Sequence, residues 1–140
     1  MTESLAELNH NPDLSVTIRV GTEHFGDGVI TLVIRGDGLV AVEQRQAGAT
    51  TRSEARLATE AVAELGRALD QQRFSAVRPT SPLRLPGDTQ LVLEIARGDS
   101  PVFRASLWAA DRFQDRELDE ILRIADATIF DATAGRLGQR

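Results

Sequence analysis

Residues 29–45 read VITLVIR, then GDG, then LVAVEQR: two apolar-rich β runs joined by a tight turn. Ile30, Leu32 and Ile34 line one face of the first run, and Val40 and Val42 can line the same face of the second. Val and Ile suit a pleated, packed surface. Gly36, Asp37 and Gly38 supply the turn chemistry of a short hairpin loop. A hairpin with one strongly apolar face must be covered, and the rest of the chain reads as its cover.

A second strand precedes it. From Leu14 to Val20 the apolar residues Leu14, Val16, Ile18 and Val20 alternate with Ser15, Thr17 and Arg19, the pattern of a strand with one wet face. After the hairpin, Thr51 with Glu54 has the spacing of a capping box, which predicts a helix over 53–72. Its stripe is Leu57, Ala58, Ala61, Val62, Leu65, Ala68 and Leu69, and Gly66 marks a close approach to another element. Residues 78–88 hold Pro79, Pro82 and Pro86 and cannot be regular structure. A second hairpin follows, over 89–97 and 102–108, and then a helix over 115–134 with the stripe Leu118, Ile121, Leu122, Ala125, Ile129 and Ala132. The similarity of residues 32–37 to 93–99 suggests a hairpin–helix unit written twice, although two independent hairpins explain it equally well.

The expected fold is therefore α+β: a five-stranded, mostly antiparallel sheet with two amphipathic helices packed on one face, in the order β-β-β-α-β-β-α. Residues 1–13 read as a frayed terminus or a short helical turn, 14–134 as one domain, and 135–140 as a polar tail. The first three strands should form a meander. A chain of 140 residues is a normal size for one domain.

Composition removes several chemistries. There is no Cys, so thiolate catalysis, disulfides and cysteine zinc sites are excluded. All sixteen basic residues are Arg, which excludes a Schiff-base or P-loop lysine and suggests a GC-rich, bacterial genome. The net charge of −5, with acids and arginines interleaved, disfavours nucleic acid. No apolar run is long enough for a membrane span and the first residues do not resemble a signal peptide, so a cytoplasmic location is expected.

The motifs are modest. Arg-Gly-Asp at 35–37 and 97–99 is hairpin-turn chemistry. In the Gly-rich connection from Gly21 to Gly28, Glu23, His24 and Asp27 could hold a ligand, but a solvated loop is preferred, and no metal or cofactor is expected. The acids at the start of the last helix suit its macrodipole and need no catalytic explanation. No serine sits in a nucleophile motif, so no catalytic residues are assigned.

Strict alternation places Val33, Val92, Val102, Arg104 and Trp108 on the sheet face away from the helices. Apolar residues joined by Arg and Trp suit an interface, though Trp108 could equally return to the core at a strand end. The expectation is a non-catalytic protein-interaction module of the inhibitor or immunity type, or a homodimer, using this open face. The alternative is a small-molecule binder using the 21–28 and 78–88 loops.

Overall fold

The computed structural model describes residues 5–21, 28–77 and 89–137. Six strands are present: β1 Leu14–Gly21, β2 Val29–Arg35, β3 Leu39–Gln46, β4 Ala49–Arg56, β5 Gln90–Arg97 and β6 Ser100–Trp108. Two α-helices, α1 Thr59–Gln71 and α2 Arg116–Ala132, join three short 3₁₀ turns at Leu8–His10, Phe74–Ala76 and Ala109–Phe113. The strand order is β4-β3-β2-β1-β5-β6 and every pairing is antiparallel. The α+β class and the antiparallel sheet agree with the sequence reading; the strand count is six rather than five.

The extra strand replaces the expected start of the first helix. Ala47 and Gly48 both adopt positive φ (50° and 82°), the backbone of a two-residue hairpin turn. That turn folds residues 49–56 back on β3, so Thr51 and Glu54 lie on opposite faces of a strand instead of closing a capping box. α1 begins only at Thr59, and Ala58 precedes it with no side-chain cap. Tertiary pairing overrides a local helix-start signal here.

The first strand in sequence lies inside the sheet. β1 pairs with β2 on one side, completing the expected meander, and with β5 on the other. The hairpin β5–β6 thus extends the sheet beyond β1. One face carries the core, in rows across the strands. One such row is Val42, Leu32, Ile18, Leu93 and Ala105, and all five are buried. Leu69 of α1 and Leu118, Ile121, Leu122 and Ile129 of α2 join the same apolar cluster, which places both helices on that face. Of the expected core, Ile30 and Leu65 are only half-buried.

The N-terminal segment belongs to this core. Leu5 and Leu8 are fully enclosed, and α1 rests on them through Gly66. A Cβ at Gly66 would collide with the Leu5 carbonyl oxygen, which is the close approach that the glycine implied. At the other helix, Asp115 caps α2 by accepting from the Glu117 and Leu118 N–H groups, at 3.0 and 3.1 Å.

Candidate functional site

The helices leave part of the sheet's core face uncovered. Over β3 and β4 the floor is Val40, Ala55 and Leu57; α1 contributes Ala61, Leu65 and Ala68, and α2 contributes Ile124, Ala127 and Ala132. Together they form a groove of about 440 Å³. Residue size helps to leave it open: Ala61, Ala68, Ala127 and Ala132 on the two helices are too small to fill the space between the walls. Two carboxylates sit among this apolar lining, Glu64 on the α1 wall and Asp131 on the α2 wall. Thr128 also lines it, but its hydroxyl donates back to the Ile124 carbonyl at 2.8 Å.

A second, polar hollow lies at the start of α2. Asp119 accepts from Arg112 Nε at 2.6 Å and from Arg123 Nε at 3.0 Å. The Arg112 hydrogen bond holds the Asp119 carboxyl below its ordinary value. Beside this triad Phe113 is 84% exposed, the most exposed large apolar side chain among the described residues. Further along α2, burial pushes the Asp126 carboxyl above its ordinary value, with Arg112 opposing the shift. Among the described residues no three His, Asp or Glu side chains converge as metal ligands would.

The residues expected on the open sheet face are on the sheet but do not form one surface. Val92 is buried at 8% exposure, Val33 and Trp108 are half-buried, and Val102 and Arg104 are exposed. Val33 and Val92 are separated by β1, whose outward residues there are Thr17 and Arg19. Arg104 pairs with Glu94 at 3.3 Å, and Arg52 pairs with Glu54 at 2.8 Å and Glu43 at 3.6 Å. This face is laced with its own ion pairs. Trp108 ends β6, where its backbone N–H donates to the Asp111 carboxylate at 3.0 Å. Glu23, His24 and Asp27, and the Pro-rich loop at 78–88, lie outside the described residues.

Sequence reasoning named several groove residues, but as core. Val40, Leu57, Ala61, Leu65, Ala68 and Ala132 fell on apolar faces, whereas Ile124 was off the stated stripe, and nothing in periodicity separates a packed stripe from one facing a gap. The available signal was the run of alanines on both helix stripes. Phe113 lies between β6 and α2, off either period, and left no pattern to find. No helix of the described residues is long and apolar enough to cross a membrane. Compared with known proteins, the sequence matches no family model and no curated protein.

Proposed function

We propose that this domain is a non-catalytic protein-interaction module that receives an apolar segment of a partner in the groove between α1 and α2. The observation that carries this reading is the groove itself: apolar side chains from two helices and two strands, with a carboxylate on each wall. Apolar grooves between helices accept amphipathic segments, and burial of a few anchoring side chains supplies most of the affinity. Glu64, exposed on the α1 wall, favours a segment that carries Arg or Lys beside its apolar anchors. The sheet's outer face supports the role less well, because its charges are already matched within the chain.

A small apolar ligand is the second reading, favoured by volume: about 440 Å³ falls within the range of small-molecule sites. Selection from a random displayed-peptide library separates the two. The wild-type domain is expected to enrich apolar peptides with basic residues, and Ala127→Trp, which fills the groove, is expected to lose them. Equal enrichment by both proteins, or none by either, overturns the groove as a protein site. Binding of the neutral dye Nile red by the wild type alone, with no peptide enriched, assigns the groove to a small molecule.

A further inference from the structure

The two outer strands of the sheet are finished differently. β6 carries Pro101, and its pairing with β5 slips between Ile95 and Ala96, leaving Val102 as an extra residue. Proline and a bulge are both devices that stop another strand from adding to an edge. β4 has neither: it pairs with β3 residue for residue from Ala49 to Arg56.

The backbone phase of that edge follows from its turn. In a two-residue hairpin the closing pair, Gln46 and Ala49, is hydrogen-bonded, and bonded pairs recur at every second residue. The Leu57 N–H, which donates to the Gly38 carbonyl at 2.8 Å, continues the same phase beyond the strand. Thr50, Arg52, Glu54 and Arg56 therefore turn their N–H and C=O groups outward. Their side chains share the outer sheet face, where Arg52 and Glu54 are each about half exposed.

We propose that a second copy of this chain pairs with β4 across a two-fold axis, antiparallel and centred on Ser53. In that register Arg52, which pairs with Glu54 and Glu43 of its own chain, also stands opposite Glu54 of the second copy, and Glu54 opposite its Arg52, so the in-chain pairs extend into a four-residue network across the axis. Thr50 meets Arg56, and all four residues present the outward backbone groups that an antiparallel ladder needs. Neighbouring registers fail on charge. Centring on Arg52 sets that arginine against itself; centring on Glu54 sets it against itself and Arg52 against Arg56. Centring on Ala55 also sets unlike charges opposite, Glu54 against Arg56, but it pairs only residues 54–56 of β4, whereas the Ser53 register pairs residues 50–56. Like charges directly opposite are destabilising and unlike ones stabilising, so charge and paired length together favour the Ser53 register for a second copy. Among the described residues an opposing contact comes from Arg136, which donates to Ser53 and Gln44 on the helix side and would approach its own copy near the axis.

This inference stands apart from the groove proposal, because it rests on the strand edge and its charges. Sedimentation velocity over a concentration series tests it. The wild type is expected to associate as a dimer. Arg52→Glu is expected to weaken association roughly tenfold, and the double exchange Arg52→Glu with Glu54→Arg to restore it. The chain has no native Cys, so Ser53→Cys supplies a direct register test. Ser53 falls on the axis as a non-bonded pair, close enough for a disulfide between copies, whereas Ala55→Cys is carried away from its mate. A monomer at every concentration overturns the proposal. So do a dimer unaffected by the Arg52 and Glu54 exchanges and equal crosslinking at the two cysteine positions. Ala127→Trp, which tests the groove, leaves these charges in place.

Discussion

The two halves of the sheet share one core face and one alternation, yet one is closed and the other is open. On the β1–β5–β6 side, Leu91, Leu93, Ile95 and Leu107 are at most 1% exposed, and Phe74 plugs the gap beneath them with its ring edge-on to Phe103 at 6.1 Å. On the β3–β4 side the corresponding rows end in Thr51, Ser53 and Ala55, and the helices above present alanines. Periodicity decides which face is apolar. Side-chain volume decides whether that face is sealed.

The sharpest way to break this contrast is a cavity on the closed side. Leu93→Ala is expected to cost roughly 2–5 kcal/mol in urea unfolding, because nothing nearby is free to collapse into the space. A loss under about half a kcal/mol would mean that this half is no better packed than the other. Adding volume on the open side should behave differently. Ala127→Leu projects into the groove, and its expected effect is within about 0.5 kcal/mol of zero, where overpacking in a closed core costs about 1–3 kcal/mol. The smallest effect concerns Asp126. Burial raises its pKa, so the folded state keeps a proton at pH values where the unfolded chain has released it. Stability should therefore fall as pH rises from the ordinary value near 3.8 through the raised one, and the penalty persists at neutral pH. Asp126→Asn is expected to raise the melting temperature slightly at pH 7 and to flatten that part of the pH profile.

The same contrast explains what could be read from the sequence. β1, β2 and β5 carry large apolar residues on every second position, so their faces were legible, and so was the stripe of α2. β4 was not: its inward residues are Thr51, Ser53 and Ala55, which leave no hydrophobic alternation, while Thr51 and Glu54 imitate a helix start. The strand that periodicity hides is thus the one with too little apolar volume to close the core. The groove was hidden for the same reason, since an alanine facing a gap looks like an alanine facing a neighbour. The outward valines were placed on the right strands, but neither the burial of Val92 nor the ion pairs around them follows from alternation alone.

The position of β1 has a consequence for synthesis. Its partner on one side, β2, follows at once, but its partner on the other, β5, begins at Gln90, about seventy residues after β1 ends at Gly21. Ribosomes add about 5–20 residues per second, so β5 emerges roughly 3–14 seconds after β1. Through that interval the nascent chain can complete the sheet from β1 to β4 and α1, while one margin of β1 stays bare. Those backbone groups, among the earliest strand groups to be made, must wait for β5 before they are paired.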